Sequence, residues 1–321
     1  MPRRHEIPST PEMMVWGYLD SSTPPVLEVN SGDIVTLHSF PAGGKETLPD
    51  DLSMVAADYM TALETLPPGP GPHFITGPVY VKGARVGDAL QIDILDVKVR
   101  QDWGFVSILP LLGTLPDEFT DYETIHPAID RQRNVCVMPW GTEIPIDPFF
   151  GIIATAPPPS WGRCGSPVPR AFGGNMDNKE LRAGTTLYLP VFNEGALFFA
   201  GDGHAVQGDG EVCITALETG VTGSFRLTVR KDMELAVCRK RNASDVDRPR
   251  RRPRRRRQAG CQGDGEACLR ADQSHTQRSL YAVFARRKFT RDAARGRQQG
   301  NSHAAAESVL MTVSAAEVAT V

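Results

Sequence analysis

Apolar and polar residues alternate with a period of two through most of the first 235 residues, and this pattern constrains the fold more than any other feature. It is clearest in the segments IVTLH (34–38), ALQIDILDVKV (89–99), TTLYLPVF (185–192) and GSFRLTVRKDMEL (223–235). Successive side chains of a strand point to opposite faces, so the alternation indicates half-buried strands. We therefore predict a mainly β fold with sandwich-like or jelly-roll-like sheets and few helices, α+β overall.

Turn and loop signals support this fold class. The tetrapeptides NSGD (30–33), RVGD (85–88) and RAGT (182–185) each precede an alternating segment, and their glycine supplies the backbone freedom of a tight turn. The best helix candidate is DDLSMVAADYMTALETL (50–66). The Pro-rich stretches 66–73 and 154–170 predict long loops that run over the surface or across a site.

Charge divides the chain into two regions. Residues 236–321 carry 19 Lys and Arg against 8 Asp and Glu. Residues 1–235 carry the other 16 Lys and Arg and the other 30 Asp and Glu. We predict a β-rich body over 1–236 and an Arg-rich, disordered tail over 237–321. Taken alone, the run RPRRRPRRRR (248–257) favours nucleic acid as a partner. A nucleic-acid-binding protein with a basic arm is therefore one alternative interpretation, although we expect no specific nucleic-acid partner.

The sequence also indicates a compartment. No apolar run approaches the roughly 20 residues of a membrane span, and the start MPRRHEIPST lacks a secretory apolar segment. The six cysteines form no CxxC pair, so we expect reduced thiols in a cytoplasmic protein with no membrane partner. They are Cys136, Cys164, Cys213, Cys238, Cys261 and Cys268.

The stretch GDGHAVQGDGE (201–211) is the main candidate site. Asp202 and His204 are one residue apart, so on extended backbone their side chains share a face roughly 6 to 7 Å apart and can hold one metal ion. Asp209 and Glu211 have the same spacing. Mixed His and carboxylate ligands suit zinc or a similar divalent ion, which would activate water. Asn175, Asp177 and Asn178 in GGNMDNKEL (173–181) can add oxygen ligands, and the later LET with Glu218 is a third polar cluster.

Other interpretations of these residues stay open at this point. Gly-Asp-Gly also occurs in plain turns, in which case the chain is a non-catalytic β-rich scaffold. His38 ends the segment IVTLH and is better explained as a strand-end residue than as a site residue. Cys213 lies in an apolar run and is better explained as a buried thiol. The alternative is a cysteine nucleophile of the kind that nitrilase-like amidases use.

Several longer segments resemble the acetamidase/formamidase family. They include FGGNMDNKEL, AGTTLYLPVF, GALFFAGDGHAVQGDGEVCITALET, FFGIIATAP and ITGPVYVKGARVGDALQIDILDV, and the likeness covers most of residues 25–235. The resemblance implies a hydrolase that cleaves the C–N bond of small linear amides such as formamide and acetamide, giving carboxylate and ammonia. It also implies a homo-oligomer that uses a divalent metal ion, for which we expect zinc.

Carried over to this chain, the resemblance assigns the metal to Asp202, His204 and Asp177. It assigns catalysis to Asp209, Glu211 and Asn175. The segment HSFPAGGKETLPDD (38–51) departs from the family pattern, so we expect the choice of amide substrate to differ.

The resemblance stops after Ala236, and a change of reading frame explains why. Codons compatible with residues 279–307, read one nucleotide later, can encode AYMLCSLAVNLHVTQLVDGNKGIHMLLPK, which resembles the C-terminal end of the family. We therefore predict a one-nucleotide frame change near codons 236–240. On this hypothesis the chain as written has an altered C-terminal region and reduced stability or activity.

Overall fold

A computed structural model describes residues 2–233 of the 321-residue chain. The tail that the sequence predicts to be disordered, 237–321, lies outside the described residues. The first strands are β1 (Arg4–Glu6), β2 (Met14–Trp16), β3 (Tyr18–Leu19), β4 (Leu27–Asn30), β5 (Ile34–His38), β6 (Phe74–Lys82), β7 (Ala89–Val99), β8 (Val106–Ile108) and β9 (Glu123–Ile125). They are followed by β10 (Ala128–Asp130), β11 (Val135–Val137), β12 (Glu143–Pro145), β13 (Phe149–Thr155), β14 (Cys164–Gly165), β15 (Gly173–Asn175), β16 (Thr186–Pro190), β17 (Phe198–Val206), β18 (Leu217–Glu218) and β19 (Val221–Arg230).

The predicted alternating segments form a five-stranded sheet in the order β1-β5-β19-β7-β16. Strands β7 and β19 pair antiparallel from Val99 opposite Val221 to Ala89 opposite Arg230, with one bulge along the way. Along β19, buried and half-buried residues alternate, as expected for a strand with one face on a core. The prediction of a mainly β fold is confirmed.

A second sheet has the order β15-β13-β17-β6-β2, with β18 added to β17 and β4 added to β6. All seven residues of β13 are buried, because this strand is covered on both faces. The two sheets meet face to face at aromatic side chains. Phe225 of the first sheet packs with its ring centroid 5.2 Å from that of Phe150 and 5.5 Å from that of Phe198.

The three predicted turns occur where expected. Gly32, Gly87 and Gly184 have φ values of 94°, 97° and 92°, which is the left-handed region that the turn requires. The helical segment is shorter than predicted. It begins with a 3-10 turn at Leu52–Met54, where Asp51 accepts a hydrogen bond from the Ser53 N–H, and continues as α1 (Ala57–Thr65).

The remaining described helices are 3-10 turns at Pro11–Met13, Lys45–Thr47 and Pro159–Trp161. Among residues 2–233, no helix has the length and apolar character needed to cross a bilayer. Within the same range, Cys136, Cys164 and Cys213 are free and buried.

Candidate active site

Strand β17 places Asp202 and His204 on one face, as their spacing predicts. His204 Nε2 lies 3.3 Å from Asp202 Oδ2, and both side chains are almost fully buried. Gly201 and Gly203, on either side of Asp202, are needed on the opposite face, where backbone of neighbouring strands approaches closely. A Cβ at Gly201 would clash with backbone of β6, including the Ile75 Cα at 2.9 Å, and a Cβ at Gly203 would clash with the Thr219 carbonyl oxygen. The repeated Gly therefore allows polar groups to occupy the middle of a buried sheet.

Glu218 completes a first group of side chains. It lies on β18, directly opposite His204 in the strand register, and its Oε1 is 3.3 Å from His204 Nε2. Asp202, His204 and Glu218 each offer one ligand atom, and these atoms all lie within 4.8 Å of one another. All three residues are buried.

A second group shares the same histidine. Asp177 follows β15, Glu211 belongs to the loop after β17, and with His204 they also place one ligand atom each within 4.8 Å of the others. Asn175 donates a hydrogen bond from Nδ2 to Asp177 Oδ2 at 2.9 Å. Asp177, Asp202 and Glu211 have φ values of 42°, 60° and 47°, a region that non-glycine residues occupy at a cost and that recurs at functional sites.

The donor set suits a cation. The cluster brings four carboxylates around one imidazole, and several of its oxygens are buried without a hydrogen-bond partner among the described residues. Such atoms are costly unless something binds them. Histidine nitrogen with carboxylate oxygens is a usual ligand set for zinc and related divalent ions. The unpartnered oxygens are Asn175 Oδ1, Asp177 Oδ1, Asp202 Oδ1, Glu211 Oε1 and Glu218 Oε2.

Gly151 of β13 forms the floor of this cluster. A Cβ at this position would clash with Asp202 Oδ2 and lie 2.6 Å from Asp177 Oδ1 and 2.8 Å from His204 Cε1. No real Cβ tolerates such contacts, so only glycine lets these three side chains converge over the strand. The space above Gly151 is thus enclosed by ligand atoms of both groups.

A buried relay sets the orientation and tautomer of His204. The Gln207 side chain donates from Nε2 to the Asp177 carbonyl oxygen at 2.6 Å, which leaves its Oε1 to accept from His204 Nδ1 at 3.1 Å. Phe149 packs edge-on to the His204 ring, with centroids 4.9 Å apart. Because the proton is held at Nδ1, a neutral His204 presents the lone pair of Nε2 to the carboxylates and to a metal.

The pKa values of the side chains in the metal-free cluster are strongly shifted. Burial raises the pKa of Asp177 to about 8 and that of Glu211 to about 9, and neighbouring carboxylates add to both shifts. Burial also raises the pKa of Glu218. Burial opposes charge on the other two groups, but His204 holds the pKa of Asp202 well below its usual range, and Glu218 with Asp202 raises the pKa of His204 well above it. Without a cation, these shifts favour protons on Asp177 and Glu211 at neutral pH.

The cluster opens into a cavity of about 450 Å³, within the range typical of small-molecule sites. Five of the six predicted site residues line it: Asn175, Asp177, Asp202, His204 and Glu211. The sixth, Asp209, instead forms an ion pair with Lys179 at 2.8 Å. The structure thus brings together the three predicted metal ligands and two of the three predicted catalytic residues.

The weaker candidates lie elsewhere. Asn178 Oδ1 accepts from the Glu180 N–H within a turn. His38 pairs with Thr222 across the first sheet at 2.8 Å. Cys213 is buried with its Sγ near the Thr215 carbonyl oxygen, and burial raises the pKa of the thiol to about 11, which suits a core residue better than a nucleophile.

His73 is a site residue that sequence reasoning did not find. It lines the cavity with Nε2 at 3.9 Å from Asp202 Oδ2, while its Nδ1 lies 2.7 Å from the Ser166 hydroxyl. Burial lowers its pKa, which favours the neutral ring. The signal in the sequence was weak: His73 stands alone between a Pro-rich loop and β6, and Ser166 lies in the other Pro-rich stretch. Glu218 was noticed in the sequence but given no role.

Comparisons with known proteins identify relatives of this chain. The chain is 28% identical to the acetamidase of Mycolicibacterium smegmatis, over 44% of this chain and 49% of the relative. It is 28% identical to the formamidase of Methylophilus methylotrophus, over 44% of this chain and 47% of that relative. The chain therefore spans about half the length of the curated relatives it matches.

Solved structures show the same fold. A crystal structure of an acetamidase from Bacillus halodurans matches with a TM-score of 0.60 and 31% identity, covering 72% of each chain. A recombinant predicted acetamidase/formamidase from Thermoanaerobacter tengcongensis matches in fold with a TM-score of 0.63 and 24% identity, covering 73% of this chain and 72% of the other. The family model of the acetamidases and formamidases matches residues 19–161 and 165–252, so its match continues past Ala236. With that match and the shared fold, the chain belongs to the acetamidase/formamidase family.

Proposed function

We propose that this chain hydrolyses the C–N bond of small linear amides, so that R–CO–NH₂ and water give a carboxylate and ammonium. The observation that carries the proposal is the convergence of two ligand groups on His204, at the closed end of a cavity large enough for a small molecule. Family membership supports the reaction class. The acetamidase and formamidase among its relatives support the linear amide as substrate.

The residues present fit a divalent metal ion, and zinc suits their chemistry. Asp202, His204 and Glu218 would hold it, with Asp177 facing the same region from the second group. When bound, such an ion supplies acidification of a water molecule and polarisation of the amide carbonyl. Its charge would also satisfy the buried carboxylate oxygens that otherwise lack partners.

The chain's own side chains then orient the amide and move protons. Asn175 Oδ1 has no hydrogen-bond partner within residues 2–233 and lines the cavity, so it accepts a hydrogen bond from the amide N–H₂ group of the substrate. Glu211 Oε1 likewise accepts no hydrogen bond from the described residues, and it takes a proton from water and returns it to the departing nitrogen. A C–O bond forms and the C–N bond breaks, and the nitrogen leaves as ammonia. Asp209, paired with Lys179, anchors the loop that carries Glu211.

Release of ammonia from acetamide tests this proposal. The full chain is stripped with a chelator, assayed, and assayed again after addition of Zn²⁺. We expect activity only after metal is restored, and a loss of about 10² to 10⁴-fold in Glu211→Gln. The matched control is Glu64→Gln, since Glu64 is exposed on α1. Full activity in the stripped chain, or an unaffected Glu211→Gln, contradicts the proposal.

Three expectations from the sequence stay predictions. A homo-oligomer is expected from the family resemblance, and light scattering of the purified chain tests it. A cytoplasmic location is tested by fractionation of the source cells. The frame change near codons 236–240 rests on the shifted reading of residues 279–307, and resequencing codons 233–242 tests it.

A further inference from the structure

The cavity has a polar inner end and a mainly apolar outer part. The inner end contains the carboxylates and histidines described above. The outer part is lined by apolar side chains from three segments, namely Ala42, Leu109 with Leu112, and Ile214, while Phe105 lies beside Glu218. Phe105 and Ala42 are buried, whereas Leu112 and Ile214 are 48% and 42% exposed, so the latter two lie at the mouth.

The hydroxyl groups of Ser107, Thr215 and Thr47 in the outer wall are already engaged. Ser107 and Thr215 bond to each other, with the Ser107 N–H donating to Thr215 Oγ1 at 3.0 Å, and Ser107 Oγ lies 2.8 Å from Thr124 Oγ1. Thr47 Oγ1 donates to the Gly44 carbonyl oxygen at 2.9 Å. Apart from the Glu46 carboxylate, this wall therefore offers a ligand mainly apolar contact.

One side of this outer part comes from the segment HSFPAGGKETLPDD (38–51). Its residues Ala42, Gly43, Glu46 and Thr47 line the cavity. The segment is held in place from outside, because His126 Nε2 lies 2.9 Å from the Thr47 carbonyl oxygen. A fixed wall of this kind can select substrates by shape.

The volume exceeds what the smallest amides need. A water molecule occupies about 30 Å³ in the liquid, so formamide or acetamide would leave most of the 450 Å³ cavity to water. Ordering water against an apolar wall is unfavourable, whereas filling that space with hydrocarbon is favourable.

We propose that the substrates are primary amides whose acyl group is a medium-length alkyl chain or an aryl group. The carboxamide lies at the His204 end, and the hydrocarbon fills the outer part between Ala42, Leu112 and Ile214. This inference rests on the proposed function, and it adds the substrate class. The carboxylate of Glu46 in the wall disfavours amides that carry a second, anionic group.

The test compares hexanamide with acetamide on the full chain. Calorimetry gives the dissociation constant of each amide, either on stripped protein or at times too short for hydrolysis. Ammonia release gives kcat/KM on the metal-loaded chain. Each fully buried methylene strengthens binding about fourfold. We expect hexanamide to bind at least about tenfold more tightly than acetamide, allowing for incomplete burial.

Three variants connect the preference to the wall. Leu112→Ala should reduce the preference for hexanamide. Leu111→Ala is the matched control and should leave it unchanged, since Leu111 is the same residue type one position away, is 82% exposed and is not part of the lining. Ala42→Leu should fill the outer part and weaken hexanamide binding while sparing acetamide.

The outcomes separate the two proposals. Equal binding of both amides, or equal effects of Leu111→Ala and Leu112→Ala, overturns the substrate class even if both amides are hydrolysed. The expected binding pattern without any ammonia release supports the apolar pocket and contradicts the proposed reaction. Ala42→Leu keeps the test decisive if Leu112→Ala fails to fold.

Discussion

Gln207 Oε1 lies 3.1 Å from His204 Nδ1, and this contact fixes which nitrogen of the imidazole faces the carboxylate cluster. We predict that Gln207→Met weakens metal binding by about 10 to 100-fold, because the ring loses the partner that orients it. Metal titration monitored by calorimetry measures the effect. Gln91→Met is the matched control, since Gln91 contacts Arg230 in the other sheet. Equal affinity in wild type and Gln207→Met would show that the relay has no role.

The floor of the cluster gives a second prediction. In Gly151→Ala the new methyl group would collide with the carboxylates of Asp202 and Asp177. We expect a folded protein that has lost stoichiometric metal binding. Gly165→Ala is the control, because a Cβ there meets only ordinary contacts, the nearest at 3.5 Å from Pro70. Metal content by atomic emission distinguishes the variants, and normal metal content in Gly151→Ala would place the ion elsewhere.

Metal binding should depend on pH. In the metal-free chain, Asp177 and Glu211 have pKa values raised to about 8 and about 9, so at pH 7 both hold a proton that a cation must displace. We expect metal affinity to increase from pH 7 to pH 9, with protons released on binding. Calorimetry in two buffers of different ionisation enthalpy measures that release. No dependence on buffer or pH would contradict the assignment of these carboxylates.

The raised pKa values of Asp177 and Glu211 should make the metal-free chain less stable as pH rises. Between the ordinary carboxylate pKa near 4 and the raised values near 8 to 9, the folded metal-free chain binds more protons than the unfolded chain. Its free energy of unfolding should therefore fall as pH rises through this window. Denaturant unfolding at pH 5 and pH 9 tests this, and Asp177→Asn with Glu211→Gln should flatten the dependence. A metal-free chain that is more stable at pH 9 would contradict the prediction.

Cys213→Ala should retain amide hydrolysis. The thiol is buried with a pKa raised to about 11, so it is not ionised at neutral pH. We expect a loss of about 1 kcal/mol in unfolding free energy from the small cavity, and little change in kcat/KM. Complete loss of activity in a folded Cys213→Ala protein would indicate a cysteine nucleophile instead of activated water.

The sheets and the core of the site were predictable for physical reasons. Strands such as β7 and β19 have one solvent-facing side, so their burial pattern is written in the sequence. Asp202 and His204 were found because strand geometry forces residues two apart onto one face. The fully buried β13 has no such alternation, and it was recognised only through its resemblance to the family.

The missed residues depend on long-range packing. His73 faces Asp202 only because β6 pairs with β17. Ser166, which contacts His73, is 93 positions away from it in the sequence. Glu218 reaches His204 through β18, a strand of two residues that carries no periodic signal. Asp209 was included because its spacing to Glu211 matches that of Asp202 to His204. Both Glu211 and Asp209 lie in a loop, however, where residues two apart need not share a face.

The central claim is that one metal ion in this cluster enables amide hydrolysis. The most direct measurement is a titration of Zn²⁺ into the stripped full chain, with bound metal and ammonia release from an amide recorded in the same samples. We predict that hydrolysis rises in proportion to bound metal and saturates with it. Hydrolysis without bound metal, or stoichiometric binding to Asp202, His204 and Glu218 with no ammonia released from acetamide or hexanamide, would contradict it.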